Sequence, residues 1–378
     1  MTPLPTYGSS PVVLLTNDDG PPSSSSPNIF EFSKLLQSVL GWQVKVVIPD
    51  CQKSWVGKAY AISEVVAVRY FYPSEPDGLK GEISTIRRPL KEGESMEWVL
   101  ISGTPASCTN IALHNLYPGE IDLVISGPNH GRNSSAAFSL SSGTLGAALA
   151  AALSVPLPGP SSGPSLHIDH IPSIAISYGV VDRPIPPRAI ELAHEAAVEV
   201  CKRLWDDWGY ESLNPRRRVQ VYSVNIPLVE DKLETINRKV CWATMWRNTY
   251  GGLFKPNVTA KTNLRSNRSA PPQLSTTASA GPGAMPISGT KSSSREEKEE
   301  PATPVEDTGL TFHFAPDLKP LLFTPIDQLP VGTDAWAFAM GYVTVTPISA
   351  EFSGLSADGC VTAREEGTRF VPGTLWES

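Results

Sequence analysis

Two adjacent carboxylates, Asp18 and Asp19, sit in the string Thr16-Asn17-Asp18-Asp19-Gly20, directly after the short apolar run Val12 to Leu15. Neighbouring negative charges repel, and on a regular strand their side chains point to opposite faces. Where a strand ends, the backbone turns and can aim both at one point, and a divalent cation placed there offsets the repulsion. Oxygen-only ligands favour Mg²⁺, Mn²⁺ or Ca²⁺ over zinc. The plain alternative is a surface turn, because Asn-Asp-Asp-Gly is ordinary turn chemistry.

Two further segments carry candidate chemistry. Asn129 follows Gly127-Pro128 after a buried-looking strand, and a neutral amide oxygen suits a hard cation; turn asparagines also commonly cap their own backbone. Ser142-Gly143-Thr144-Leu145-Gly146 opens a helix of small residues. Free N–H groups at such a terminus bind phosphate readily, and glycine lets a ligand approach the backbone. A capped, tightly packed helix reads equally well. The segment is neither a Walker A loop nor a dinucleotide fingerprint. Other residues are set aside. His130 is read as a hydrogen-bonding spacer and Cys108 as a small core residue. His167 and His170, in a loop rich in Pro, Ser and Gly, make no zinc site. Trp242, Trp246 and Tyr250 could stack a base or pack an arm against a partner subunit.

The elements that must position these residues follow a β-α-β rhythm. Val12 to Leu15 and Val44 to Ile48 read as buried parallel strands, with a helix between them starting at Ser26-Pro27 and carrying Ile29, Phe32, Leu36 and Val39. Trp98 to Ile101 ends at Ser102-Gly103-Thr104-Pro105, and Leu123 to Ile125 ends at Ser126-Gly127-Pro128-Asn129. Ile174 to Ile176 is another buried strand, and Ala189, Ala193, Ala197, Val200 and Leu204 mark an amphipathic helix. Val219 to Ile226 and Gly341 to Pro347 read as later strands. This predicts an α/β fold, a Rossmann-like and mostly parallel sheet flanked by helices. Ligands of such sheets bind outside the carboxyl ends of the strands, where three of the candidate loops fall.

Of the 378 residues, 40% are hydrophobic and 18% charged, enough for one large core or two modest domains. The net charge of −7 offers no bulk attraction to DNA or to an anionic membrane, so any phosphate site must be local. No apolar run reaches the length of a membrane span, the first residues lack a secretory pattern, and five scattered cysteines read as reduced thiols, so a cytoplasmic location is expected. Lys255 to Thr311 holds no aromatic residue and is dominated by Ser, Thr, Pro, Ala and Gly. Such a stretch cannot bury enough surface to offset its ordering entropy. The expected organisation is an α/β core over 1–230, an oligomerisation arm over 231–256, a disordered low-complexity insertion over 257–308, and completion of the core over 309–378.

Taken together, these segments resemble the survival protein SurE family of phosphatases. The matching residues are Leu14 to Gly20, Ile48-Pro49-Asp50 with Ser54, Gly103-Thr104-Pro105-Ala106, Asp122 to Gly131, Ser142 to Ala148, Val224 to Pro227, and Gly341 to Pro347. Gln52 to Ala59 and Gly131-Arg132-Asn133 resemble a fungal branch that includes a P-body-associated protein fused to a tubulin-tyrosine-ligase-like domain, and no such second domain is expected within these residues. The resemblance implies a divalent metal, Mg or Mn, on Asp18, Asp19, Ser54 and Asn129, with Asp18 or Asp19 acting in catalysis and Ser142, Gly143 and Thr144 holding phosphate. It implies a 5′- or 3′-nucleotidase or acid phosphatase acting on nucleoside monophosphates or similar small phosphomonoesters. It also implies a homodimer or tetramer built by exchange of C-terminal arms. The sequence departs from the pattern at Trp55, where Gly is usual, at Ser107 for Asp, at Pro21-Pro22-Ser23, and at Ser141 for Tyr. The rival expectation is a catalytically idle SurE-like scaffold that binds nucleotide or recruits RNA-granule proteins through the insertion.

Overall fold

The computed structural model describes residues 10–157, 170–181, 183–211, 217–257, 311–351, 361–362 and 369–370. The insertion expected over 257–308 lies outside these residues, apart from Asn257. The chain divides into two units, one formed by Met1–Thr249 with Leu321–Ser378 and the other by Tyr250–Pro320.

The first unit begins with β1 (Val12–Thr16), α1 (Ile29–Ser38) and β2 (Gln43–Pro49), as the apolar spacing predicts. An antiparallel pair the spacing does not announce follows, β3 (Val68–Pro73) and β4 (Gly81–Ser84), and then β5 (Trp98–Ile101) and α2 (Pro105–Ile111). Next come β6 (Leu123–His130), α3 (Ala136–Ser141), α4 (Gly143–Ala152), β7 (Ser173–Gly179), α5 (Pro187–Asp206), β8 (Val221–Pro227) and β9 (Val240–Trp242). In the second unit, β10 (Phe254–Pro256) pairs antiparallel with β11 (Phe312–Phe314), and the rings of Phe254 and Phe314 meet edge-on with centroids 5.6 Å apart. Back in the first unit, β12 (Val343–Ile348) completes the sheet.

That sheet has ten strands in the order β4-β3-β5-β2-β1-β6-β7-β8-β12-β9. The six strands from β5 to β8 are mutually parallel, while β3 and β12 run against them. Chain order thus reverses at β1: β2 lies on one side of it and β6 on the other. A crevice opens outside the carboxyl ends of strands at such a point. Residues 240–242, inside the expected arm, pair as an edge strand with β12 of the same chain.

Both faces of the sheet are covered, which is why the central strands are apolar at every position rather than at alternate ones. Val13, Leu15, Ile125, Ile176 and Val224 pack with α1 and α5 through Phe32, Leu36, Leu192 and Ala196. Leu14, Val47, Val99 and Val124 face the other way, onto Cys108, Ala112 and Ala151 of the α2 region and α4. The alanines of α4 let that helix lie close on β7 and β8, with Ala148 and Ala152 against Ala175 and Val221.

One helix start differs from the sequence expectation. The residue at the α1 N-terminus is Asn28, without a side-chain cap, because Ser26 Oγ is engaged elsewhere: it donates to Gly20 O at 2.8 Å and accepts from Asn17 Nδ2. The serine ties down the aspartate loop instead of capping the helix.

Candidate metal and phosphate site

Where β1 ends, Asn17 turns the chain. Its Nδ2 donates to Gly20 O at 2.8 Å and its Oδ1 accepts from Gly20 N at 3.1 Å, closing a side-chain-locked turn around the two aspartates. Asp18 and Asp19 are 3% and 4% exposed, so the plain surface turn is not what forms. Thr144 Oγ1 donates to Asp18 Oδ1 at 2.6 Å, and the amide of His130 donates to Asp19 Oδ2 at 2.8 Å. Two loops from separate strand and helix ends therefore hold one carboxylate each.

Burial, opposed by the Thr144 hydroxyl and by the amides of Asp18, Thr144 and Gly143, holds the Asp18 carboxyl above the usual carboxylate range. Burial and then the charge of Asp18 do the same for Asp19, against the His130 amide and the Gln52 side chain. Among the described residues no Lys, Arg or His forms a salt bridge with either. A buried like-charge pair without a counter-cation is what a hard divalent ion neutralises.

The loop after β2 closes the second side. Lys53 N donates to Asp18 O at 2.7 Å, which sets the next residue, the exposed Ser54, beside the aspartate turn. Gly57 N donates to Ser141 O at 2.9 Å, joining the same loop to the start of α4. α4 approaches both neighbours so closely that two positions accept only glycine. A Cβ on Gly143 would stand 2.7 Å from Asp18 Cβ, and one on Gly146 would stand 2.3 Å from Gly57 O. Ser142 caps the helix, its Oγ accepting from Leu145 N at 3.1 Å. The donors of Gly143 and Thr144 meanwhile face Asp18, so the segment read from sequence as a phosphate cradle is also a wall of the aspartate pair.

The third side comes from β6. The β6–β7 register shifts between Ser126 and Asn129, and such an irregularity re-aims the residues that follow. Asn129 Nδ2 donates to Gly131 O at 2.8 Å, leaving Oδ1 as the ligand-type end of its amide. Asn129 adjoins the His130 amide that holds Asp19. Asp18, Asp19, Thr144, Gly143 and Ser142 are thus in one place, with Ser54 and Asn129 on loops bonded to the same two aspartates. Among the described residues no group of three or more His, Cys, Asp or Glu converges. A cation here would rest on two carboxylates completed by the neutral oxygens of Ser54 and Asn129, a donor set that fits Mg²⁺ or Mn²⁺ and not zinc.

Beyond His130 lies a polar network that spacing did not reveal. Asn133 N donates to Asn225 Oδ1 at 2.7 Å and Asn133 Nδ2 to Ser177 Oγ at 2.8 Å, clamping the loop onto the ends of β7 and β8. Asp334 accepts from the amides of Ser135 (2.6 Å), Ala335 (2.7 Å) and Trp246 (2.9 Å). The only trace of these roles in the sequence is their polar type beside buried strands.

His130 is half-buried, and burial lowers its pKa, with the charge of Arg183 adding to the effect. Burial pushes the Cys108 thiol well up, as befits a core residue. His170 is buried with Nε2 3.3 Å from Val219 O, while His167 lies outside the described residues. Trp242 packs edge-on against Tyr222 at 5.7 Å and is 61% exposed. Cys51, Cys108, Cys201 and Cys241 are free thiols, and no helix among the described residues is long and apolar enough to cross a membrane.

Comparison with known proteins agrees with this architecture. The Aquifex aeolicus SurE crystal structure superposes with a TM-score of 0.52 at 20% identity, covering 91% of this chain and 95% of that one, which shows the shared α/β fold. A Saccharomyces cerevisiae protein named probable tubulin–tyrosine ligase PBY1 is 34% identical over 261 residues, 64% of this chain and 32% of that protein. A Christiangramia forsetii protein named 5′-nucleotidase SurE is 36% identical over 139 residues, 37% of this chain and 45% of that one. The chain thus spans less than half the length of either relative. Residues 13–252 match the family model described as Survival protein SurE, and the chain belongs to that family.

Proposed function

We propose that this chain is a metal-dependent phosphomonoester hydrolase acting on nucleoside monophosphates or similar small phosphomonoesters. The observation that carries the reading is the Asp18–Asp19 pair, more than nine-tenths buried, gripped by the Thr144 hydroxyl and the His130 amide, and lacking a basic partner among the described residues. Relatives named 5′-nucleotidase support the same reaction class.

In this reading Asp18, Asp19, Ser54 and Asn129 hold one divalent cation, Mg or Mn. When bound, the cation supplies Lewis acidity to the phosphoryl group and raises the acidity of a water molecule. In the same reading the Ser142 to Thr144 segment, beside Asp18 at the start of α4, holds the substrate phosphate. Thr144 Oγ1 fixes the orientation of Asp18, and the His130 amide does so for Asp19, so neither carboxylate must reorganise during turnover. Asp19, held by the His130 amide, is the carboxylate placed to orient the attacking water. The protein is proposed to work in the cytoplasm, as a homodimer or tetramer. The purified chain should hydrolyse p-nitrophenyl phosphate with Mn²⁺ or Mg²⁺ and stop when a chelator is added. Metal-independent turnover, or none with any divalent ion, would remove the reading.

A further inference from the structure

The loop that carries Ser54 contains a residue whose backbone is at odds with its size. Trp55 has φ +64, in the left-handed region that glycine enters freely and that a bulky side chain occupies only when its surroundings hold it there. The holding contacts are visible on both sides of it. Lys53 N is bonded to Asp18 O, and Gly57 N to Ser141 O, so the short segment between them spans from the aspartate turn to the start of α4. The result of that backbone is the placement of a large ring. The Trp55 indole meets Phe138 edge-on, with centroids 6.0 Å apart and planes at 69°, and Phe138 lies on α3, which runs directly into Ser142. Phe138 is buried and Trp55 half-buried, so the inner ring backs the outer one. Farther along the same loop Lys58 Nζ stands 4.7 Å from the Tyr60 ring centroid, and Leu140, two residues before Ser142, is 73% exposed.

We propose that Trp55 selects the organic half of the substrate, stacking on the nucleobase of a nucleoside monophosphate whose phosphate is held at Ser142 to Thr144. The inference rests on the phosphatase reading and narrows it from phosphomonoesters in general to those with a planar aromatic group. Every base has a π-face, so the platform favours nucleotides over aliphatic phosphates while discriminating little among bases.

The test compares kcat/KM for adenosine 5′-monophosphate and glycerol 3-phosphate, with Mn²⁺, in the full chain and in Trp55→Gly, a residue suited to this backbone. The ratio of the two constants should fall about 10- to 100-fold, the span of one stacked base at tenfold per 1.4 kcal/mol, and mainly through KM. Trp55→Asn, which also tolerates positive φ, should repeat the fall, and Trp55→Phe should restore most of the ratio. An unchanged ratio, or equal loss on both substrates, overturns the proposal. Should the parent chain hydrolyse neither substrate, the phosphatase reading fails and calorimetric binding of the same two compounds decides. Weakening of adenosine monophosphate alone in Trp55→Gly sustains the platform; equal weakening, or no binding to the parent, overturns it.

Discussion

Two buried acidic sites in this molecule meet the same electrostatic problem with neighbours of opposite charge. Burial raises the carboxyl of Asp334, 2% exposed, above its ordinary range, and three amide donors at 2.6 to 2.9 Å and then the nearby Arg132 guanidinium oppose that rise. Asp18 and Asp19 are buried as deeply and also accept hydrogen bonds, but Asp19 faces the charge of Asp18 and neither has a basic partner among the described residues. A saturated carboxylate is structural, because nothing remains for a ligand to offer it. A like-charge pair without a positive partner retains a demand for positive charge, which is the condition for binding a cation.

The sharpest way to break this contrast is Asp19→Asn. Removing one negative charge from the pair should cost phosphatase activity about 10³-fold, the scale of losing one preorganised electrostatic group, and should leave circular dichroism unchanged. It should also stabilise the metal-free protein. The folded carboxyls sit above their unfolded values, so the fold favours the protonated forms, and stability falls as pH rises above about 4. A thermal-melt series from pH 4 to 8 checks this. The decline should be shallower in Asp19→Asn, and in the parent chain once Mn²⁺ is added.

Asp334→Ala should behave in the reverse sense. It strands three buried amides and leaves the guanidinium of Arg132, itself held down to about 10 by burial, without its counter-charge, for a loss of about 3 kcal/mol in urea unfolding. Mn²⁺ should not recover it. If instead Asp334→Ala is tolerated and Asp19→Asn unfolds the chain, the division between the two sites is wrong.

Gly143→Ala tests whether the aspartate wall is as tight as it looks. A methyl 2.7 Å from Asp18 Cβ must push α4 from the β1 turn, at about 2 kcal/mol of overpacking, with activity falling alongside stability. The smallest effect serves as a control on a third kind of buried ionisable group. His194 stays neutral beside Tyr178, 2.9 Å from its hydroxyl, with its pKa lowered to about 4 by burial. Its folded value lies below the unfolded one, so its contribution is complete above about pH 6.5 and is lost as pH falls toward 4. Relative to the parent, His194→Gln should flatten the acid limb of the stability curve by about 1–2 kcal/mol over that window.

Local pattern carried some elements well and others poorly. Val12 to Leu15, Val44 to Ile48 and Ile174 to Ile176 are legible because strands covered on both faces are apolar throughout, and α5 because its alanines and leucines recur at helical spacing. β3 and β4 are not legible: Val68–Pro73, one strand in from the edge and half-buried, mixes Arg and Tyr with apolar residues, and Gly81–Ser84 at the edge is largely exposed. The helix expected to start at Ser26-Pro27 starts later because the Gly20 carbonyl that takes the Ser26 hydroxyl is brought to it only by the turn that Asn17 closes. The aspartate pair and the Ser142 to Thr144 segment stood out by residue type, yet nothing in their spacing says that Thr144 donates to Asp18 across 126 residues.

The amino-acid order alone determined most of the strands and helices of the central sheet, and which strand ends carry carboxylate, amide and hydroxyl, because burial and turn chemistry act on neighbours along the chain. Tertiary structure decided which of those ends meet. The reversal of strand order at β1 sets the Asp18–Asp19 turn between the loops after β2 and β6, and the small residues of α4 let its first turn close on Asp18. Whether a buried carboxylate meets an arginine, like Asp334, or a second carboxylate, like Asp19, depends on groups contributed by distant segments, and only the assembled sheet fixes which of them arrive.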